Sequence, residues 1–349
     1  RSDMKLPPTI AWSGSARDGH LELVDQTRLP SHVEILRIRT LEDVIGAIRR
    51  LSVRGAPAIG VAAAYGVVIG IRQARVDSSP QAFLEALQTA GDALIAARPT
   101  AVNLAWAVRR MQAAGSRAPS LDALLDEAVA IHDEDRSLCL AMGVLGAPLV
   151  THGATVLTHC NTGRLATAGD GTALSVLFEA WRQGTRFRVI ADETRPLLQG
   201  ARLTALELAS EGIPVELIAD GAAAGLIARG VVDLVLVGAD RVAGNGDAAN
   251  KVGTYGLALA CAAHGVPMYV VAPTTTFDLG LEEGSMIPIE ERDPDEVLCV
   301  DGHRIAPSGV GAQNPAFDIT PGRLLAGIIT DRGIIRPVDA AHVRATIGQ

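Results

Sequence analysis

From about residue 150 onward, short apolar runs alternate with stretches whose apolar residues recur at helical spacing. Runs at 154–159, 187–191, 215–219, 232–237 and 268–271, rich in Val, Ile and Leu, predict five strands. The stretches 173–182, 203–209, 222–229 and 255–264 predict the helices between them. Repeated β-α-β text implies a doubly wound parallel sheet, because parallel neighbours need a crossover and the crossover helices cover the faces of the sheet. Each apolar run ends in polar or glycine-bearing text: His159-Cys160-Asn161, Asp192-Glu193-Thr194, Asp220-Gly221, Gly238-Ala239-Asp240 and Pro273-Thr274. In open α/β sheets these ends line one crevice, where ligands bind.

Before residue 150 the pattern differs. Strand-like text lies near 9–23 and 33–38, followed by helical stretches at 41–50, 57–74, 80–97, 102–112 and 121–145. The reading is a mainly helical N-terminal domain with short strands over 1–147 and a Rossmann-like catalytic domain over 148–349. After Pro273 the text becomes loop-rich, notably at 308–315, before a last strand and helix. With 349 residues and 48% hydrophobic content the chain can fill two cores, so disorder is excluded.

Charge and composition then narrow the function. A net charge of −8 and 3% aromatic residues argue against nucleic acid and anionic membranes as partners, so an anionic ligand would need local cations. The longest apolar stretch, 56–71, is shorter than the roughly 20 residues of a spanning helix and is read as a packed helix. Arg1, Ser2 and Asp3 precede Met4 without a charged-then-apolar leader, and the four cysteines, 139, 160, 261 and 299, lack CxxC spacing. Both features fit a cytoplasmic protein with reduced thiols. Of 31 cationic residues only Lys5 and Lys251 are lysine. A lone mid-chain lysine is either chance or a site that needs a compact ammonium.

Cys160 ends a buried strand and meets Asn, Thr and Gly, which sets it apart from Cys139, Cys261 and Cys299, all read as core. Asp240 follows the strand 232–237 and is either a helix cap or a general acid. A flexible loop over 244–250 separates it from the next helix, and the apolar strand behind it would raise its pKa. Arg54-Gly55-Ala56-Pro57 places a cation and a glycine at a helix start, the setting of a phosphate cradle or of an ordinary loop. Arg98-Pro99-Thr100 and Asn250-Lys251 are read as two further cation-bearing helix starts, and three together favour a phosphorylated small molecule. The cluster His132-Asp133-Glu134-Asp135 is read as a solvated helix face, not a metal site. Gly169-Asp170-Gly171-Thr172 could hold an anion or only turn the chain. No GxGxxG follows the first strand of the sheet, and GxxxxGK[ST] and HExxH are absent.

Eight segments occur in an order that resembles the methylthioribose-1-phosphate isomerase family of methionine salvage. They begin at Asp25-Gln26-Thr27-Arg28, Arg54-Gly55-Ala56-Pro57, Arg98-Pro99-Thr100, His159-Cys160-Asn161-Thr162-Gly163, Gln199-Gly200-Ala201-Arg202, Gly238-Ala239-Asp240-Arg241, Asn250-Lys251-Val252-Gly253 and Asn314-Pro315-Ala316-Phe317. The stretch 143–150 departs from the pattern at the domain junction. The resemblance implies catalytic roles for Cys160 and Asp240 and substrate contacts from Arg54, Gly55, Ala56, Arg98, Gln199, Asn250 and Lys251. It also implies a homodimer with no metal or nicotinamide cofactor, acting on a small sugar phosphate.

The implied reaction is an aldose-to-ketose isomerisation with a phosphate on the anomeric carbon, so an acid must help open the ring. Asp240 would supply that acid. Cys160 would assist hydrogen transfer from C2 to C1, either as a base through a cis-phosphoenolate or as polar support for a hydride shift. Isomerases of 5-deoxyribose 1-phosphate or ribose 1,5-bisphosphate share the pair and remain alternatives. A non-enzymatic regulatory subunit of the translation initiation exchange factor would need neither group.

Overall fold

The computed structural model describes residues 6–74 and 79–348; Lys5 and the residues around Met4 lie outside the described residues. It divides into two compact units, one comprising Arg1–Cys139 with Gly163–Gly171, the other Leu140–Thr162 with Thr172–Gln349.

The first unit carries an antiparallel sheet of β1 (Ile10–Ser13), β2 (His20–Val24) and β3 (Ile35–Ile38). Its helices are α1 (Leu41–Arg49), α2 (Ala56–Ala74), α3 (Pro80–Ile95), α4 (Val102–Arg117) and most of α5 (Leu121–Gly146). Side-chain caps start three of them: Thr40 accepts the Asp43 N–H of α1, Ser79 accepts the Ala82 N–H of α3, with Pro80 in the first turn, and Ser120 accepts the Ala123 N–H of α5. By length and composition α2 could cross a membrane, yet 78% of its most apolar 18-residue window is buried inside the protein. Its composition reflects packing against α3 and α4, where small side chains let helix backbones approach closely.

The second unit begins its main sheet with β4 (Thr155–Thr158), α6 (Ala173–Arg182), β5 (Arg188–Asp192), α7 (Ala205–Ser210) and β6 (Val215–Ile218). It continues through α8 (Ala223–Ala228), β7 (Leu234–Val237), β8 (Arg241–Ala243), β9 (Ala248–Lys251), α9 (Thr254–His264), β10 (Met268–Val271) and β11 (Phe277–Asp278). After α10 (Asp295–Leu298) come the hairpin β12 (Cys299–Val300) and β13 (His303–Arg304), then β14 (Phe317–Thr320), β15 (Gly327–Ile329), β16 (Ile334–Ile335) and α11 (Ala340–Ile347). The main sheet runs β16-β15-β10-β7-β4-β5-β6, parallel except for the antiparallel edge strand β16. Numbered in chain order, its parallel strands follow the sequence 3-2-1-4-5-6 of a Rossmann-like sheet, with the reversal between β4 and β7. β4, β7 and β10 are buried along their whole length, as strands covered on both faces must be.

The alternating text thus folds as a doubly wound sheet, and two parts differ from the reading. The loop assigned to 244–250 is largely the hairpin of β8 and β9, part of a second sheet ordered β11-β8-β9-β14. Its strands are two to four residues long and, unlike the equally short strands of the main sheet, do not lie in runs rich in Val, Ile and Leu. The acidic cluster is not uniformly solvated: His132 Nδ1 lies 3.0 Å from the buried Tyr65 hydroxyl, and Asp135 is buried and accepts the Ala168 N–H at 2.7 Å.

Candidate active site

Cys160 stands two residues beyond Thr158, which pairs with Leu236 of β7 across the reversal of strand order. It is a non-glycine residue in the left-handed region, φ 64°, a conformation that persists only where the surroundings impose it. Here they do. The Cys160 N–H donates to Thr194 Oγ1 at 2.9 Å, and its carbonyl accepts from Thr204 Oγ1 at 2.6 Å. Thr194 in turn donates to the Asp192 carbonyl, and Asn161 donates to the buried Glu207 at 2.7 Å. The thiol residue is 6% exposed.

Asp240 leaves β7 three residues after Val237. A Cβ on Gly238 would lie 2.7 Å from Thr162 Cγ2, so the exit of β7 touches the chain just past Cys160. The Asp240 N–H donates to the Ala249 carbonyl at 2.8 Å, which fixes the carboxyl-bearing residue to β9 beside Asn250 and Lys251. On the other side of β9, Phe317 pairs with Lys251 and Asp318 with Asn250. The Lys251 ammonium, largely buried, donates to the Ala316 carbonyl at 2.9 Å and lies 5.0 Å from the Phe317 ring centroid. Gln199 follows β5 at the head of the turn Gly200–Thr204. It is buried, and its Oε1 has no partner among the described residues, which suits a ligand hydrogen bond. One reading is corrected here. Asn250 and Lys251 belong to a strand, and the start of α9 is no open anion cradle, because the Gly253 and Tyr255 N–H groups donate to Asp318 at 2.7 and 3.1 Å. Burial raises the Asp318 pKa against the pull of those two donors.

Behind Cys160 sits a network for which the sequence signalled only polar strand ends. His159 Nδ1 is 2.8 Å from Asp192 Oδ2, and His159 Nε2 is 2.9 Å from the Val252 carbonyl oxygen. Burial opposes charge on the ring, but Asp192 and that carbonyl outweigh it and raise the pKa of His159. Asp220 accepts the Thr194 and Arg195 N–H groups, each at 2.7 Å. The ligand-type atoms of His159, Asp192 and Asp220 lie within 4.8 Å of one another. Because both ring nitrogens, both Asp220 oxygens and one Asp192 oxygen already face protein partners, the trio is a hydrogen-bond network.

The remaining candidates belong to the first unit. Gly55 has φ 93°, and a Cβ there would stand 2.5 Å from the Ala166 carbonyl oxygen, so both conformation and approach require glycine. Arg54 precedes it, and Ala56 opens α2. Arg98 lies in the turn from α3 to α4, its N–H donating to Ile95. Gln26 Nε2 donates to the Leu165 carbonyl at 2.6 Å, and Thr9 Oγ1 donates to the Arg164 carbonyl at 2.7 Å. Asp170 accepts from Arg164 Nε at 2.8 Å within the same segment. Of the thiols read as core, Cys139 and Cys261 are buried, and burial pushes their pKa values up, that of Cys261 to about 12; Cys299 is only half-buried, on its short hairpin.

A sequence profile of the initiation factor 2 subunit family matches residues 52–337. This chain belongs to that family. A methylthioribose-1-phosphate isomerase of Pelotomaculum thermopropionicum is 52% identical over 345 residues, which cover 97% of this chain and 94% of the relative. A 5-deoxyribose 1-phosphate isomerase of Moorella thermoacetica is 51% identical over 335 residues, 94% of each chain. Among solved structures, 5-methylthioribose 1-phosphate isomerase of Pyrococcus horikoshii matches with a TM-score of 0.89 and 41% identity, covering 99% of this chain and 97% of its own. A structure described as translation initiation factor eIF-2B subunit delta of A. fulgidus matches with a TM-score of 0.86 and 40% identity, covering 99% of this chain and 100% of its own. Members of the family thus carry both enzyme and initiation-factor names at similar distance from this chain.

Proposed function

We propose that this chain is an intramolecular oxidoreductase that converts 5-methylthioribose 1-phosphate to 5-methylthioribulose 1-phosphate in methionine salvage. The observation that carries the reading is a thiol and a carboxyl following the two strands that flank the reversal of the sheet, in a chain 52% identical to an isomerase of that name. An initiation-factor role would leave the constrained cysteine without a use.

The phosphate on C1 prevents spontaneous opening of the ring to a free aldehyde. Asp240 donates a proton to the ring oxygen as the C1–O bond breaks and later accepts the proton on the C2 oxygen, leaving the ketone. Hydrogen moves from C2 to C1 with help from Cys160, by proton transfer through a cis-phosphoenolate or by a supported hydride shift. Arg54, the backbone at Gly55 and Ala56, Arg98 and Lys251 bind phosphate, while Gln199 and Asn250 orient the sugar through hydrogen bonds. No metal or organic cofactor takes part. The enzyme works in the cytoplasm as a homodimer.

A second reading, isomerisation of 5-deoxyribose 1-phosphate, is favoured by the 51% identity to the relative of that name. Comparing kcat/KM for 5-methylthioribose 1-phosphate, 5-deoxyribose 1-phosphate and ribose 1,5-bisphosphate separates them. The first substrate is expected to give the highest value. A higher value with the second would establish the second reading, and no turnover of any would overturn both.

A further inference from the structure

His159 directly precedes Cys160, and Val252 directly follows Lys251. One imidazole reaches both turns: His159 Nδ1 faces Asp192 and Nε2 faces the Val252 carbonyl. A carbonyl oxygen only accepts, so Nε2 carries a proton. Nδ1 carries one too when Asp192 is ionised: burial raises the Asp192 pKa and His159 pulls it down, while against its own burial Asp192 and the Val252 carbonyl raise that of His159. A neutral imidazole has a single N–H and would satisfy both contacts only with Asp192 protonated and donating to Nδ1, the arrangement that the measurement below distinguishes. The titratable groups facing the ring are all acidic: Asp192 of β5, Asp220 beyond β6 and Asp318 of β14. Among the described residues Asp192 Oδ1 is buried without a protein partner, so His159 is the side chain that compensates a charge on that carboxyl. On the remaining side the ring is confined, since a Cβ at Gly253 would stand 2.9 Å from His159 Cε1.

We propose that His159 is a positioning residue, an imidazolium held by Asp192 that ties the turn carrying Cys160 to the loop that follows Asn250 and Lys251. The role rests on the isomerase reading, in which the thiol serves hydrogen transfer and the ammonium holds phosphate. Misplacing either group by about 1 Å would cost about 10²-fold in rate.

The charge state is read directly from long-range proton–nitrogen spectra of the 15N-labelled, otherwise unmodified protein, with the His159 signals identified by their loss in His159→Gln. Both ring nitrogens are expected to stay protonated to a higher pH than those of an ordinary histidine, whose pKa is about 6.5. Asp192→Asn should return the ring to a single neutral tautomer. In kinetics, His159→Ala should lower kcat and raise KM, with kcat/KM falling about 10²-fold, and His159→Gln, which keeps a donor toward Val252, should recover part of the loss. If the alanine variant does not fold, Asp192→Asn carries the kinetic test with the same expected direction. A neutral ring in the unmodified protein, or unchanged kcat and KM in these variants, would overturn the proposal. The spectra do not depend on the substrate, so an active enzyme with a neutral His159 defeats this proposal alone, whereas failure of the substrate panel defeats the isomerase reading.

Discussion

A left-handed backbone costs a non-glycine residue on the order of 1–2 kcal/mol, and Cys160 adopts it between the two threonine hydroxyls that hold its N–H and carbonyl. The thiol is thereby fixed before substrate arrives. Cys160→Ser keeps that backbone with a hydroxyl of far higher pKa, and Asp240→Asn keeps the shape of the acid without its proton, so each should lower kcat by about 10² to 10⁴. Circular dichroism should show both variants folded. Because the two groups serve one reaction coordinate, the double variant should be far less impaired than the product of the single effects; strictly multiplicative losses would place them in separate steps. Lys251→Ala removes an ammonium already held by Ala316 and Phe317, and should act mainly on KM, weakening substrate binding by about 1.5–3 kcal/mol. Unchanged KM and kcat would remove Lys251 from the phosphate site.

At the scale of elements, the segment Gly163–Gly171 rests on α5 through Asp135, which receives the Ala168 N–H. Burial, opposed by the Ala168 N–H, aided by Glu134 and again opposed by the Gly169 N–H, leaves the Asp135 pKa raised from 3.8 to about 6. The folded state therefore holds this proton more tightly than the unfolded chain. The group's contribution to stability is greatest below about pH 4, declines as the pH rises to about 6 and is level above, for a total of about 3 kcal/mol. Asp135→Asn cannot ionise, so its stability relative to the unmodified protein should improve across that window, as measured by urea denaturation at a series of pH values. Parallel curves would show that the carboxyl titrates normally.

The same scale shows what could be read from sequence. The strands β4, β5, β6, β7 and β10 and the helices between them were legible because each strand lies in a run rich in Val, Ile and Leu bounded by helical text, and Cys160 and Asp240 were legible because they follow such runs. β8, β9, β11 and β14 were not. Their pairing brings Lys251 opposite Phe317, 66 residues apart in numbering, and no local pattern encodes that. In the sequence His159 is only part of a strand end, since its meaning depends on Asp192 and Val252 arriving from other elements. The burial of Asp135 is hidden in the sequence for the same reason: its partner lies in a later segment of the chain.

At the scale of the whole molecule, Leu140 and Val144 stand one turn apart on α5, 55% and 49% exposed, an apolar pair that a second copy of the chain could cover in the proposed dimer. Light scattering at micromolar concentration should give twice the 36.3 kDa of one chain, and a monomer mass would reject the dimer. The division of the chain itself bears on synthesis. The helical unit uses Gly163–Gly171, the backbone received by Gln26, Thr9 and Asp135, and that stretch follows the 23 residues of Leu140–Thr162, which belong to the other unit. On the ribosome, the first half therefore lacks part of its own packing when its helices have emerged. It waits for a stretch translated just after Cys160, so the part of the gene encoding the thiol must be read before either half has its full set of partners.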